Sequence, residues 1–518
     1  MLDENFSSQL VRLDNFDNVA VARTVIPAKA VLHSLEGEVV ALNAIPAGHK
    51  VAIQAIAQGE TVVKYGQIIG QATCDIAAGE HVHSHNLAMI DVHADYAPSS
   101  AVPPAPEPIE GRTFEGYVRT NGKVGTRNYL AVISTVNCSA SVARFIAERF
   151  PQEELAKYPN VDGIIAMKHG AGCGMQFGGE AHQTLNRLMA GMAQHPNVGG
   201  FLLVGLGCET GAMGYLLQQH NLVQIDGVGG ADRPGPLVLS MQDMGGTMQT
   251  IEAGIAQIRT MLPQVNDIQR QTVSASHLCV GLECGGSDGN SGVTANPALG
   301  IASDRIVACG GTAILSETSE VYGAEHLLTR RAVTPEIADK LIERIEWWKK
   351  YVAMFGVELD NNPSPGNKAG GLTTIAEKSL GAVAKAGSTA LVDVYHYAEP
   401  VEAKGLVLMD TPGYDPASVT GMVAGGANVI CFTTGRGSCF GCKPTPSIKI
   451  ATNTPMYDRM ISDMDINAGT VLEGESITEA GERIFEEILA VASGKKTKSE
   501  QQGIGDEEFV PWLVGPTL

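Results

Sequence analysis

The sequence has no dense block of lysine or arginine, and its 36 basic residues are outnumbered by 56 acidic ones, a formal charge of −20. That balance lacks the basic footprint of a nucleic-acid binder. No run approaches the ~18 uninterrupted apolar residues of a membrane span. The opening stretch, MLDENFSSQLVRLDNFDN, has neither a basic start nor an apolar segment, which argues against a secretory signal and for a cytoplasmic protein. Ten cysteines in so large a chain then read as thiols rather than a disulfide framework. No Gly-x-Gly-x-x-Gly follows a strand with an acidic residue about 20 positions on, which weakens a nucleotide-dependent oxidoreductase reading.

Glycine, by contrast, is plentiful: 60 residues in 518, above the usual ~7%. Tight turns and close backbone approaches follow. Residues 1–96 read as all-β. One pattern recurs in IPAGHKV (45–51), IAQGETV (56–62) and IAAGEHV (76–82), with a fainter copy in VIPAKAV (25–31) where Lys29 replaces the glycine. The proline-rich 97–112 reads as an extended tether. Beyond it, strands alternate with helices, as at 129–135, 161–169 and 199–207 followed by 139–150, 180–193 and 211–220. Such alternation predicts an α/β body with mainly parallel sheets. Further strands are expected at 277–283, 305–315, 388–395, 405–410 and 428–434, and helices at 334–356, 372–386 and 476–493. The body divides into lobes at 113–270 and 271–518.

Chemistry-bearing residues gather in two places. Cys138, Cys173 and Cys208 each follow a strand and precede a helix, the carboxyl edge where open α/β sheets bind ligands. Cys284 sits similarly in the second lobe. Converging thiolates suit iron or an iron–sulfur cluster, whereas buried cysteines also serve as small hydrophobes. In GEHVHSHN, His81, His83 and His85 alternate as on one face of a strand. They suit a divalent metal or, equally, a solvated row. Lys168, His169 and Glu209 flank the cysteines as acid–base candidates. Ser287 and Asp288 lie in a glycine-rich turn, Lys368 in NNPSPGNKAGG, and Arg436 between glycines, as partners for a carboxylate. Cys439 and Cys442 form a C-x-x-C with no second pair at zinc spacing.

The segments GYVRTNGKVGTRN, HGAGCG, VGLGCE, ECGGSDGNSGVTANP, NPSPGNKAGG and FTTGRG together resemble the altronate/galactarate dehydratase family over nearly the whole chain. The resemblance implies an N-terminal SAF-like β-clip domain and a two-part catalytic body. It also implies dehydration of a sugar acid to a 2-keto-3-deoxy acid, dependence on Fe²⁺ or Mn²⁺, and a homodimer. GSCFGCKP departs from the family pattern beside Arg436, which bears on substrate choice. The related sulfolactate sulfo-lyases, which eliminate sulfite, supply an alternative chemistry. On this reading His81, His83, His85, Cys138, Cys173 and Cys208 hold the metal, mononuclear or as a Cys-ligated cluster. His169, then Lys168 and Glu209, move protons, and Ser287, Asp288, Lys368 and Arg436 orient the substrate.

Overall fold

The computed structural model describes residues 9–34, 37–90, 95–210, 213–220, 222 and 237–514. The first two residues of the expected helix at 211–220 therefore lie outside it. The N-terminal unit is built of short antiparallel strands. Leu10–Val11, Val19–Ala22, Lys50–Ala52 and His81–Val82 form one sheet, and Thr61–Lys64, Gln67–Ala72 and Leu87–Ala88 another. The recurring pattern explains the shape. Its isoleucines pair across the unit, Ile26 with Ile45 and Ile56 with Ile76, all buried. Each copy then turns on a residue of positive φ: Lys29 at 69°, Gly48 at 79°, Gly59 at 85° and Gly79 at 84°.

The histidine strand is shorter than the alternation predicts. Only His81–Val82 pairs in a sheet, and His83 and His85 lie in the following turn. Asn86 ends the strand: its fully buried amide accepts from the His83 N–H at 2.9 Å and donates to the His81 carbonyl at 3.0 Å. The tether, residues 97–112, crosses to the body without helix or strand. Hydrogen bonds from Ser99, Ala101 and Ile109 to the carbonyls of Thr329, Arg330 and Ala308 lay it along the second lobe.

The body holds two parallel sheets. β1 (Tyr129–Ser134), β2 (Gly163–Met167), β3 (Val198–Gly205) and β4 (Leu237–Ser240) run in the order β2-β1-β3-β4. The second sheet comprises β5 (Cys279–Cys284), β6 (Thr312–Leu315), β7 (Leu391–Tyr395), β8 (Gly405–Met409), β9 (Val429–Thr434), β10 (Ser447–Ala451) and β11 (Ile466–Asn467). Its order is β7-β8-β6-β5-β9-β10-β11. β1 and β3 are buried along their whole length, hence their near-continuous apolar runs. The strand opening the first lobe, Thr113–Val118, pairs with Arg270–Ser274 at its end.

One expectation fails. Residues 305–315 are not a single strand: 305–308 finish the helix Ala295–Ala308, and β6 begins only at Thr312. The buried Ile306 continues the apolar run, so composition alone merges the two elements. Gly310, at φ 81°, makes the turn between them.

The β-clip docks on the second lobe through one continuous apolar cluster. Ile56, Val62, Ile69 and Val82 share it with Leu282, Leu299 and Leu380. Inside the seam three charges are fully buried. Lys50 Nζ lies 2.8 Å from Glu377 Oε2 and Lys64 Nζ 2.9 Å from Glu377 Oε1. Burial pulls the Lys50 pKa down to about 8 against the attraction of Glu377. At Glu377 burial opposes ionisation, but the two ammoniums outweigh it and hold the carboxylate well below its ordinary range.

Removing one partner of a buried ion pair strands the other, at about 3–5 kcal/mol. Glu377→Ala is expected to lower the denaturation midpoint accordingly and to make the 97–112 tether sensitive to limited proteolysis. Replacing Lys50 and Lys64 by Met in that background should recover most of the loss. A single variant as stable as the parent would show that these charges do not hold the seam.

Candidate active site at the seam between the domains

In open parallel sheets the carboxyl edge binds ligands, and a cavity opens there on the seven-stranded sheet. The loops after β5, β9 and β10 meet the β-clip residues Arg23, Pro46 and His49 around a volume of about 640 Å³, within the range of small-molecule sites. Asp288 organises the floor. Its buried carboxylate accepts from the Ser291 hydroxyl and the Asn290 N–H at 3.1 Å each, from Thr452 Oγ1 at 3.0 Å and from Asn453 Nδ2 at 3.2 Å. Burial raises its pKa, and these donors oppose the rise. Gly435 packs against it so closely that a Cβ would fall 2.1 Å from Asp288 Cγ. The Ser287 carbonyl is held by Asn367 Nδ2 at 2.8 Å.

The roof is set by glycines. The turn at Gly48 rests directly on Gly289 and Gly371: a Cβ would meet the Gly48 carbonyl oxygen at 1.9 Å from the first and 2.4 Å from the second. This contact brings the β-clip imidazoles to the loop 368–371. His83 Nε2 lies 2.8 Å from the Lys368 carbonyl, His49 Nε2 3.3 Å from that of Ala369, and Lys50 donates to that of Gly371 at 2.8 Å. His49 Nδ1 and His81 Nε2 are 3.0 Å apart. The rings of His49, His81 and His83 lie within 5.5 Å of one another, with His85 5.7 Å from His81. Burial, followed by the neighbouring imidazoles, pulls His81 down to about 4, and burial also lowers His49 and His83. His49, His81 and His83 are therefore neutral at pH 7.

The expected ligands occupy two different seams. Cys138, in the first turn of the helix Asn137–Ala147, and Cys173 and Cys208, on loops, are exposed after the adjacent strands β1, β2 and β3, at one edge of the four-stranded sheet. Asn137 N–H donates to the Ala171 carbonyl at 2.8 Å and Thr135 Oγ1 to Glu209 at 2.9 Å, which ties these loops together. The histidines belong instead to the β-clip seam. Among the described residues, neither set brings three donor atoms within 4.8 Å of one another.

The acid–base candidates beside the cysteines are already engaged. His169 Nε2 donates to the Ser134 carbonyl at 2.8 Å while Nδ1 accepts from the Ala171 N–H at 3.1 Å, and burial lowers its pKa to about 4. Both nitrogens thus shape the loop, leaving no lone pair for a substrate. Lys168 pairs with Glu507 at 2.7 Å, and Glu209 accepts from Thr135 and from the Gly207 N–H at 2.7 Å. Lys368 is half-buried, and Arg436 is exposed on the cavity wall.

A third group was not foreseen. Beneath the Gly285–Gly286 turn, donor atoms of Glu283, Glu317 and Asp415 lie within 4.8 Å of one another, as do those of Cys284, Glu317 and Glu320. Lys385 and Lys378 pair with Glu317 and Glu320 at 2.5 Å. Glu283 Oε2 accepts from Ser316 and Ser418, yet its buried Oε1 has no partner. Burial, then Glu317 and Asp415, raises Glu283 well above its ordinary value, and Asp415 rises to about 7. Burial likewise keeps Cys284 a thiol. His49 could have been found in the sequence: it stands where the other two glycine-bearing copies carry Glu60 and Glu80. The acidic group carried no such signal, since its members are far apart in the chain.

Comparison with known proteins gives a consistent result. Residues 8–90 match the altronate/galactarate dehydratase SAF domain, 116–266 the D-galactarate dehydratase/altronate hydrolase second domain, and 275–517 the D-galactarate/altronate dehydratase C-terminal domain. The chain is 36% identical to altronate dehydratase of Bacillus subtilis over 98% of its length and 99% of the relative's. It is 36% identical to altronate dehydratase of Escherichia coli (98% and 100% covered). It is also 39% identical to galactarate dehydratase (L-threo-forming) of Escherichia coli (96% and 95%).

Two outcomes are expected. Gly289→Ala should leave the far-UV circular dichroism unchanged but raise hydrogen exchange at 81–83 and 368–371, because the β-clip turn must lift off; unchanged exchange would refute the glycine joint. Acid should weaken the fold through His169 and His195, the latter held at about 3 by burial. Unfolded imidazoles bind protons near pH 6.5 while these refuse them, so stability falls as pH drops from about 6.5 toward 4, by roughly 3 kcal/mol for each. Urea titrations across that window measure it, and His195→Gln should flatten the slope.

Proposed function

Because the chain belongs to the altronate/galactarate dehydratase family, it is a hydro-lyase acting on a sugar acid, and we propose that elimination occurs in the cavity beneath the β-clip, assisted by iron or manganese. The product on this reading is a 2-keto-3-deoxy sugar acid. The observation that carries it is that a neutral imidazole, His49, and an unengaged guanidinium, Arg436, line one cavity.

The residues divide the work as follows. Arg436 and the backbone of the 285–290 loop hold the substrate carboxylate, with Ser287, Asp288 and Lys368 around it. The His49–His81 pair removes the proton from C2, and the electron pair moves into the enediolate. His49 Nε2 faces the Ala369 carbonyl and so carries the hydrogen, and His49 Nδ1 then accepts from His81 Nε2 at 3.0 Å, which leaves His81 Nδ1 as the basic nitrogen. The charge that develops is shared across the 3.0 Å contact. This pair replaces His169 in the role, because both nitrogens of His169 are spent on the backbone of its own loop. The imidazolium returns that proton to the C3 hydroxyl, which departs as water, and the enol tautomerises to the keto acid.

A divalent ion held beneath the Gly285–Gly286 turn would supply positive charge that stabilises the enediolate formed above it. Glu283, Glu317 and Asp415 are the donors that fit it: oxygen ligands suit Mn²⁺ and accept Fe²⁺. The unpartnered Glu283 Oε1 is a ligand atom awaiting a partner. A second reading keeps support from the three exposed thiols on one sheet edge, a site for an iron–sulfur cluster with one open iron. The division into 1–96, 97–112, 113–270 and 271–518 remains our proposal for the domains, and a cytoplasmic homodimer for the assembly.

Anaerobic chelation is expected to abolish dehydration, and Fe²⁺ or Mn²⁺ alone to restore it. Glu283→Gln should lower the metal retained after dialysis about tenfold or more; unchanged retention removes that ligand set. Inorganic sulfide and visible charge-transfer absorption that vanish in Cys173→Ser would favour the cluster. Full turnover without metal would end both readings.

A further inference from the structure

The cavity holds more positive charge than one carboxylate requires. Arg436, Arg459 and Arg23 all line it, in a chain of net charge −20. Arg23 donates to the Leu472 carbonyl, which fixes it at the β-clip side. Neither the Arg436 nor the Arg459 guanidinium has a hydrogen-bond or ion-pair partner among the described residues, and both residues are exposed and line the cavity. The acids in the wall do not neutralise them. Asp288 is occupied by its four protein donors, and Glu473 accepts from Thr454 Oγ1 at 2.5 Å.

The two arginines stand on different elements of the wall. Arg436 lies beside the Gly286 turn, its Cβ 3.5 Å from where a Cβ on Gly286 would be, and so adjoins Asp288 and the reacting end. Arg459 is the last residue of the helix Thr454–Arg459, which carries it away from the Asn453 contact with Asp288. Between them Gly437 packs so tightly on Met460 that a Cβ would come within 2.1 Å of Met460 Sδ, which fixes their relative placement. An unpaired guanidinium recognises a carboxylate through parallel N–H donors, and two of them along one cavity ask for two carboxylates.

We infer that this cavity selects a sugar acid with a carboxylate at each end, Arg436 taking the one beside the reacting carbon and Arg459 the distal one. The inference rests on the dehydratase reading and names its substrate class: an aldarate rather than an aldonate. Arg459 is then a specificity-determining residue whose effect is confined to the doubly charged ligand.

The test uses the full-length, metal-loaded enzyme with galactarate and altronate as probes, read by binding calorimetry and by turnover. Galactarate should bind and react in preference to altronate. Arg459→Gln should lower its kcat/KM and its affinity by roughly 10- to 100-fold, with less than about threefold change for altronate, and Arg459→Lys should recover part of the loss. Preference for altronate, or equal losses for both probes, would overturn the inference while leaving dehydration intact. Arg459-dependent galactarate binding without turnover would sustain the inference and overturn the dehydratase reading. Binding of neither probe would overturn the inference outright.

Discussion

The structure depends on a single carboxylate buried between two ammoniums. Glu377 sits in the second lobe, and Lys50 and Lys64 come from two separate strands of the β-clip. Such a group contributes little net stability compared with apolar residues of the same volume. Its value is in discrimination. A β-clip docked one residue out of register would leave a bare charge in a dry seam, a penalty of several kcal/mol. The apolar cluster supplies the attraction, and the three charges determine the one orientation in which it can be used.

That orientation is what completes the cavity. His49 precedes Lys50 in the chain, so fixing the ammonium fixes the imidazole. Gly48 precedes both, and its carbonyl lies where only glycines at 289 and 371 leave room. Three consecutive residues, from a turn into the strand that follows it, thus supply the close contact, the cavity-facing imidazole and the buried charge. The proline-rich tether, hydrogen-bonded along the second lobe, keeps the two parts in one chain at high effective concentration. Its composition suits that task, since an extended segment loses little conformational freedom on being laid down.

Much of the fold was legible because it is local. The isoleucine–glycine repeats announce both the bridges and the turns of the β-clip, and the apolar runs announce parallel strands buried on both faces. The carboxyl-edge rule rightly drew attention to loops after strands. What it does not convey is which loops face one another across a seam. His169 follows a strand as a catalytic residue does, but its lone pairs hold the backbone of its own loop. The alternating histidines suggested a longer strand because Asn86, which ends it, acts through its side chain rather than through any turn signature. His49 escaped notice as a single imidazole, although its departure from the repeat was visible. The acidic group beneath Gly285 joins residues from β5, from the loop after β6 and from the helix after β8, and no spacing in the chain reports that.

Charge counting joins these parts. Glu283, Glu317, Glu320 and Asp415 would bring four negative charges to the edge of the seven-stranded sheet, and Lys378 and Lys385 bring two positive ones. The deficit of two positive charges equals what one divalent cation carries. On the other side of the same glycine turn, Arg436 and Arg459 present two guanidiniums without partners among the described residues. On the proposed reading, a metal bound below the Gly285–Gly286 turn would bring those carboxylates to their ionised form, and an anionic substrate above it would meet the guanidiniums. Each would make the other's site less costly to hold, because opposite charges so close together are screened poorly within the protein. An acidic chain can thus offer an anion a site: three arginines line the cavity although the net charge of the chain is −20.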